Sequence, residues 1–277
     1  MGELMQGSLR SATAGAVTVL AVLFLVLPLA VVVLFSFHET ASLSFPFTGF
    51  SLRWYESVFA SAEFREATKN SLIVATAVSA TTLVLGSLAA YGLSRSDSRV
   101  RDALALIFFL PITLPGLFLG LGLLVFFVGI DIKLSLATVA IAHFVYVLPY
   151  FLLIAKAALD RMDPAIEEAA ADLGAGPWTV FFRVTVPQVW PVLAGATSLA
   201  FALSFDEFVI TFFVIGPQST LPLYIWSGLR RTIDPSINTI STLLMVVTLA
   251  LFAIAFAFTL RTERRRDRAV PALQVPA

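Results

Sequence analysis

Six apolar segments, each long enough to cross a lipid bilayer, constrain the fold of this chain more than any other feature. A helix rises about 1.5 Å per residue, so about 20 apolar residues cross a hydrocarbon core roughly 30 Å thick. In chain order the segments are Ala14–Phe37, Ser71–Leu93, Ala103–Val128, Leu134–Ala158, Val189–Ile215 and Ile237–Leu260. Hydrophobic residues make up 58% of the sequence and charged residues 13%, which leaves too little polar surface for a water-soluble globule. The sequence predicts an all-α membrane protein with six transmembrane helices in a single domain, residues 1–277.

Charge and composition exclude several kinds of partner and site. Lys and Arg together number 18, as do Asp and Glu, so the formal net charge of zero gives no indication of a nucleic-acid partner. The chain has no cysteine, which excludes a disulfide framework and a thiolate metal site. Its two histidines, His38 and His143, share no ligand spacing, so no metal site is expected.

The distribution of basic residues predicts the orientation, because Lys and Arg are retained on the cytoplasmic side during insertion. With both termini inside, twelve basic residues are cytoplasmic: Arg10, Arg95, Arg99, Arg101, Lys156, Arg161, Arg183, Arg261, Arg264, Arg265, Arg266 and Arg268. The other six of the 18 are external: Arg53, Arg65, Lys69, Lys133, Arg230 and Arg231. We therefore expect both termini in the cytoplasm.

A polar segment between the fourth and fifth runs predicts a short cytoplasmic helix over Pro164–Leu173. Asp163 can cap free N–H groups, and proline is well tolerated at the first helical position. Four apolar residues recur at spacings of three and four and share one face: Ile166, Ala169, Ala170 and Leu173. Three carboxylates lie away from it: Glu167, Glu168 and Asp172. Gly174 can supply the left-handed stop. Taken alone, these features describe any amphipathic cytoplasmic helix.

A longer pattern is more specific. Glu168-Ala169-Ala170 is followed after three residues by Gly174 and after nine more by Val184, with Val186-Pro187 one residue further on. The pattern resembles the motif of permeases in binding-protein-dependent ATP-binding-cassette importers, which ends in Ile-x-Leu-Pro, so valines replace both aliphatic positions here. The resemblance implies a MetI-like permease bundle whose cytoplasmic coupling helix seats in a groove of an ATPase subunit. It assigns the ATPase contact to Glu167, Glu168, Ala169, Ala170, Asp172, Leu173, Gly174 and Pro187.

The resemblance covers nearly the whole chain and extends to a subfamily. Three stretches are similar to the second permease subunit of spermidine/putrescine-type importers: Gly49 to Tyr55, Leu203 to Pro217 and Leu221 to Asn238. It implies a location in the bacterial inner membrane. It also implies as partners two ATPase subunits, a second homologous permease and an extracytoplasmic solute-binding protein. No G-x-x-x-x-G-K-[ST] phosphate loop occurs, so we expect no cofactor in this chain, with ATP and Mg²⁺ held by the partner ATPase.

Two adjacent acidic residues, Asp206 and Glu207, lie inside the fifth apolar run. An ionised carboxylate at the bilayer centre costs about 2.5 to 3.5 kcal/mol or more unless it is paired or hydrated. One interpretation is that at least one faces a water-filled path and attracts a cationic solute. The other is neutralisation by protonation or by a partner's basic residue. Trp54 and Tyr55 are interface anchors by default, and we also assign them to the substrate path as a hypothesis.

One departure from the family pattern bears on the solute. Permeases of this type often place an acidic residue after the proline of the third span, where this chain has Pro115-Gly116. We expect a polyamine or related small cationic or amine solute, with an amino compound or an organic anion as alternatives. A different class of function is an ion-coupled secondary transporter that uses Asp206 and Glu207. It would leave the Glu168 to Pro187 pattern unexplained. A lipid-modifying enzyme lacks a paired catalytic site, so we expect no enzyme.

Overall fold

The chain is described by a computed structural model, which covers residues 2–40, 47, 49–96, 98–231, 235–250 and 253, with side chains from residue 13 onward except at residues 98 and 231. The described part consists of helices and the turns and loops that connect them, with one isolated β-bridge between His38 and Phe50. Eleven described helices follow one another in the chain. They are α1 (Gly2–Ser36), α2 (Arg53–Ala60), α3 (Ala62–Arg95), α4 (Ser98–Thr113), α5 (Gly116–Gly129), α6 (Leu136–Asp160), α7 (Pro164–Asp172), α8 (Pro177–Asp206), α9 (Val209–Val214), α10 (Leu221–Arg231) and α11 (Pro235–Ala250).

The described residues fall into two compact units. Those within 1–62 and 225–246 form one unit, and those within 63–224 and from 247 onward form the other. In the first unit, α1 exposes almost all of its apolar side chains from residue 13 to residue 31, as expected of a helix that faces lipid. The motif from Glu168 to Pro187 and the acidic pair, Asp206 and Glu207, both lie in the second unit.

The second unit is packed around α6, whose apolar side chains contribute to two clusters. Val139, Ala142 and Val147 pack in one cluster with residues of α3, α5, α8 and α9. Phe151 and Leu152 pack in the other with residues of α3 and α8. Because α6 contributes to both clusters, it packs against α3 and α8 along its length and against α5 and α9 in the first cluster.

The third predicted span, Ala103–Val128, is not one straight helix. The helix over Arg99–Thr113 and the helix α5 meet at an angle of 108°. Pro115 is the reason, since its ring disfavours the α conformation at Leu114 and its own backbone is extended, with ψ at 138°. The predicted third span is therefore interrupted at Pro115, and the segment is a broken span or a re-entrant pair.

The fifth predicted span, Val189–Ile215, also differs. Helix α8 begins earlier, at Pro177, and ends at Asp206, and α9 starts afresh at Val209. Glu207 is extended, with ψ at 117°, and its side-chain Oε1 accepts a hydrogen bond from the Ile210 N–H at 2.8 Å. A side chain that binds the backbone in this way competes with the helical hydrogen bond, which explains the break.

Four described helices are long and apolar enough to cross a bilayer: the helix over Thr13–Ser36 within α1, α3, α6 and α8. The bent pair α4 and α5 makes a fifth if it counts as one span. Helix α11 is apolar but shorter, and nearly all of the predicted sixth span beyond Ala250 lies outside the described residues.

Candidate functional site

Helix α7 is defined at both ends by the residues that the sequence indicated. Asp163 accepts a hydrogen bond from the Ala165 N–H at 3.0 Å, and Pro164 is the first helical residue. At the other end, Gly174 has φ at +87°, a backbone conformation that favours glycine. Its N–H donates to Ala171 O at 2.8 Å and the Ala175 N–H donates to Ala170 O at 3.1 Å, the paired bonds of a Schellman stop.

The outward face of α7 is mixed, with exposed apolar and acidic side chains. Ile166 and Leu173 are exposed, Leu173 to 90%, and Ala169 lies exposed between them. The acidic Glu168 and Asp172 are exposed as well. A surface that combines small, apolar and acidic side chains suits a protein partner better than water.

Glu167 is the exception among the three carboxylates of this helix. Its side chain is only 11% exposed, because its Oε2 accepts a hydrogen bond from Arg95 Nε at 2.8 Å and its Oε1 accepts one from the Thr185 hydroxyl at 2.6 Å. Burial by itself would raise the pKa of the Glu167 carboxyl. The two hydrogen bonds and the charge of Arg95 outweigh it and hold that pKa below the ordinary value. Glu167 is therefore ionised at neutral pH and faces its own protein.

The ion pair belongs to a network that joins α3, α6, α7 and α8 at one end of the second unit. The Arg95 guanidinium donates to Ser94 Oγ at 2.9 Å, and the Ser94 hydroxyl donates to Asp160 Oδ1 at 2.7 Å. Asp160 also pairs with Lys156 one helical turn before it. The sequence did not predict the roles of Arg95 and Thr185, because they depend on contacts between residues far apart in the chain.

The second half of the motif forms a widened helical turn. Residues Phe181–Thr185 make a π turn, after which Val186 and Pro187 resume the α-helix. Pro187 has no N–H to donate to the preceding turn, and such a position is a common cause of this irregularity. Thr185, on the π turn, is fully buried and reaches Glu167. The proline of the motif thus helps to place the partner of an α7 side chain.

The two acidic residues of the fifth run have different surroundings. Glu207 is half-buried, and its carboxylate accepts a hydrogen bond from the Ile210 N–H in the first turn of α9. Asp206 is exposed, and within the described part of the chain no hydrogen-bond donor contacts its carboxylate. A cavity of about 200 Å³ is lined by Asp206 and Glu207 together with Tyr146, Leu199, Ala202, Leu203 and Thr248. It combines two acidic groups, one aromatic ring and one threonine with otherwise apolar walls, a combination suited to a small cation.

Trp54 and Tyr55 have structural partners at the end of α1. Trp54 donates from its indole Nε1 to His38 O at 2.7 Å, and its ring lies under the Arg53 guanidinium at 4.2 Å. The Tyr55 hydroxyl lies 2.8 Å from Ser36 Oγ, and its ring stacks on Phe37. These contacts hold α2 against the end of α1. The assignment of both residues to the substrate path stays a prediction.

The matching family model decides what kind of protein this geometry belongs to. Residues 82–268, which include the bent pair, α7 and the acidic pair, match the family described as binding-protein-dependent transport system inner membrane component. The chain belongs to this family. The permease is therefore a transport subunit of an ATP-binding-cassette importer, and it is neither an enzyme nor in need of its own cofactor. This membership favours the importer over the ion-coupled transporter.

Relatives with curated names support the same assignment. The permease is 32% identical over 253 residues to the putrescine transport system permease protein PotI of Escherichia coli (strain K12), a match that covers 88% of this chain and 90% of that one. It is 28% identical to the spermidine/putrescine permease PotC of the same strain, over 82% and 86% of the two chains. It is 31% identical to the putative 2-aminoethylphosphonate permease PhnV of Salmonella typhimurium, over 79% and 83%.

Solved structures show the same fold. A bacterial ABC transporter involved in the import of the acidic polysaccharide alginate matches with a TM-score of 0.75 at 18% identity, over 94% of this chain and 99% of that one. The MetNI methionine transporter matches with a TM-score of 0.58 at 17% identity, over 71% and 94%. At such identities these matches establish a mostly helical MetI-like fold and carry no information on the solute. Among the described residues, no group of three or more His, Cys, Asp or Glu side chains could hold a metal ion.

Proposed function

We propose that this permease carries a polyamine or a related small cationic or amine solute, and that Asp206 is the group that attracts it. The observation that carries the proposal is the exposed Asp206 carboxylate, which lines the cavity beside Tyr146 and has no hydrogen-bond donor in the described part of the chain. An unpaired carboxylate in an apolar span is costly unless water or a cation meets it. A protonated amine supplies that charge, and the aromatic ring adds a cation–π surface.

We further propose that α7 is the coupling helix. The support is its exposed face, with Leu173 and Ile166 uncovered and Glu168 free to meet basic groups of a partner. Glu167 is expected to act from the inner side, where it ties the helix to Arg95. ATP-driven closure of the ATPases would then move α7, and α7 would pull on α3 and α8 through this ion pair and Thr185.

The assembly that follows has two ATPase subunits holding ATP and Mg²⁺, a second homologous permease and an extracytoplasmic solute-binding protein. In this proposal the permease has six spans in the inner membrane, both termini are cytoplasmic and α7 is cytoplasmic. The network at the end of α3 and α6 supports this orientation, because it gathers Arg95 and Lys156, two residues of the basic set expected inside, beside α7.

The alternative solute is an amino compound that also carries an anionic group. It is favoured by the similarity to a putative 2-aminoethylphosphonate permease and by Gly116 in place of the acidic residue expected after Pro115. Such a zwitterion would need fewer negative groups along its path than a polycation.

Reconstitution of the complete importer in liposomes tests the proposal. ATP-dependent uptake of radiolabelled putrescine, in competition with spermidine and with 2-aminoethylphosphonate, should show saturable amine transport that requires the solute-binding protein. Absence of saturable uptake of radiolabelled putrescine, and of radiolabelled spermidine in the same assay, would refute the polyamine proposal. Uptake that persists without ATP at a constant proton-motive force would contradict the coupling mechanism.

A further inference from the structure

His143, in the middle of α6, uses both nitrogens of its ring, although the side chain is only 1% exposed. Its Nδ1 lies 2.9 Å from Ser204 Oγ, and its Nε2 lies 2.8 Å from Thr211 Oγ1. A neutral imidazole can donate from one nitrogen and accept at the other, and each hydroxyl can take the complementary role. The three side chains therefore form a buried and fully satisfied polar group.

The partners of His143 lie on opposite sides of the break in the fifth span. Ser204 is in the last turn of α8, two residues before Asp206, and Thr211 is in α9. The Thr211 hydroxyl also lies 2.9 Å from Glu207 O, to which it donates. One side chain of α6 thus bonds directly to both helices that flank Asp206 and Glu207.

The short helix α9 depends on such contacts for its position. A helix of six residues has little stability of its own, so tertiary contacts must hold it. Ile210 and Val214 are fully buried, and Gly120 of α5 allows a close approach, since a Cβ there would lie 3.1 Å from Ile210 Cα. Apolar packing of this kind fixes which face of α9 is inward. The directional bonds of His143 and Thr211 fix its distance and rotation relative to α8.

We propose that His143 is a positioning residue that holds the broken fifth span in the geometry where Asp206 faces the cavity, and that it thereby sets the affinity of the permease for its amine solute. The inference rests on the proposed role of Asp206. His143 does not touch the solute in this scheme, because its two nitrogens are occupied and the side chain is buried. It acts through Ser204 and Thr211 on the two residues between them.

The decisive variants separate positioning from core stability. His143→Phe keeps a ring but leaves the Ser204 hydroxyl buried without the imidazole, while the Thr211 hydroxyl keeps only its bond to Glu207 O. The triple variant His143→Phe, Ser204→Ala, Thr211→Val removes all three polar side chains together, and such a replacement can be nearly neutral for folding, although Glu207 O loses the bond from Thr211. We expect both variants to raise the KM for putrescine about tenfold, as the loss of about 1.4 kcal/mol would, while the triple variant assembles at the level of the wild type. The Vmax of the triple variant should stay within about twofold of the wild-type Vmax, a change no larger than the weakest single hydrogen bond would cause.

Two conservative variants and one control refine the result. His143→Asn keeps a polar group near the Nδ1 position and His143→Gln keeps one near the Nε2 position, so each should raise KM less than His143→Phe does. Thr138→Val is the control, because Thr138 also bonds to α9, at Val214 O 2.7 Å away, but lies at the end remote from the break. It should lower the yield of assembled importer without a change in KM.

A second measurement does not depend on the identity of the solute. The chain has no native cysteine, so Leu199→Cys places a single thiol of this chain in the cavity wall. In the assembled importer, a cationic methanethiosulfonate reagent should label it at a rate that the triple variant changes at least threefold, within the range of one lost hydrogen bond. A changed labelling rate without amine uptake in any variant would refute the proposed solute and leave the role of His143 standing. Wild-type KM and an unchanged labelling rate in a fully assembled triple variant would overturn the positioning role.

Discussion

The Arg95 guanidinium lies 2.8 Å from the Glu167 carboxylate and joins the end of α3 to α7 across 72 residues of sequence. Their side chains are 25% and 11% exposed, so the ion pair is partly shielded from water. Removal of one member of such a pair costs more than removal of one member of a surface salt bridge, because the remaining charge is left shielded and without a partner. The ion pair fixes α7 to the end of α3, so α7 is not a loosely attached surface helix.

Glu167→Gln is expected to uncouple ATP hydrolysis from transport while the ATPase subunits still bind. The amide cannot pair ionically with Arg95, and a hydrogen bond to a charged group is worth about 1.5 to 3 kcal/mol. Uptake per ATP hydrolysed should fall several-fold in proteoliposomes. Glu168→Gln is the matched comparison, since Glu168 is exposed one residue later and its loss should weaken binding of the ATPase instead. Equal loss of ATPase binding in both variants would show that the two carboxylates share one role.

The contribution of Glu167 to stability should not vary over the physiological pH range. Its pKa in the folded protein is lowered, so its stabilisation is complete above the ordinary carboxyl value of 4.5 and is lost as pH falls through the folded value. The difference in thermal unfolding midpoint between the wild type and Glu167→Gln should therefore be constant from pH 8 to about pH 5. A difference that shrinks between pH 8 and pH 6 would contradict the lowered pKa.

Substitutions of the two adjacent carboxylates should have different effects. Asp206→Asn removes the charge that lines the cavity and should raise the KM for a cationic solute about tenfold or more, with assembly unchanged. Glu207→Ala removes the side chain that caps α9 at Ile210 and should lower stability by about 1 kcal/mol, as the loss of a helix cap does. Glu207→Gln, which keeps an oxygen at the cap, should preserve stability. Uptake kinetics and thermal unfolding of the purified importer would measure the two effects separately.

Gly174→Ala should destabilise the end of α7 by about 1 to 2 kcal/mol, because a side chain disfavours the left-handed backbone at φ +87°. No atom lies within 4 Å of the position that a Cβ would take, so the effect comes from the backbone rather than from a clash. Gly176→Ala is the matched control, since Gly176 also faces open space but has φ at −70°. A larger loss of coupled transport in Gly176→Ala than in Gly174→Ala would reject this explanation.

A related substitution, Gly174→Asp, should leave the permease in the membrane but abolish coupling. The aspartate adds a negative charge beside a surface that is already acidic at Glu168 and Asp172. Membrane fractionation and ATP-dependent uptake measure the two outcomes. Normal transport in this variant would count heavily against the assignment of α7 to coupling.

The sequence by itself determined the membrane environment, the ends of α7 and the family. Apolar runs of bilayer length fix a membrane helix wherever backbone polar groups cannot meet water, and local chemistry at Asp163, Pro164 and Gly174 fixes both ends of α7. The motif from Glu168 to Pro187 was enough to identify the importer permeases, because it is a pattern of residue types at fixed spacing. All of these properties depend on neighbours close in the chain.

The tertiary structure alone decided which of those residues are turned toward the protein and which are exposed. Glu167 and Glu168 are adjacent carboxylates of one type, and the positions of Arg95 and Thr185 make the first internal while the second is exposed. Asp206 and Glu207 differ in the same way, because the helix breaks between them and α9, and His143 bonds on both sides of that break. The contacts of His143 and of Arg95 join residues 61 to 72 positions apart and depend on how the helices pack. Hydropathy and residue spacing along the chain do not predict that packing.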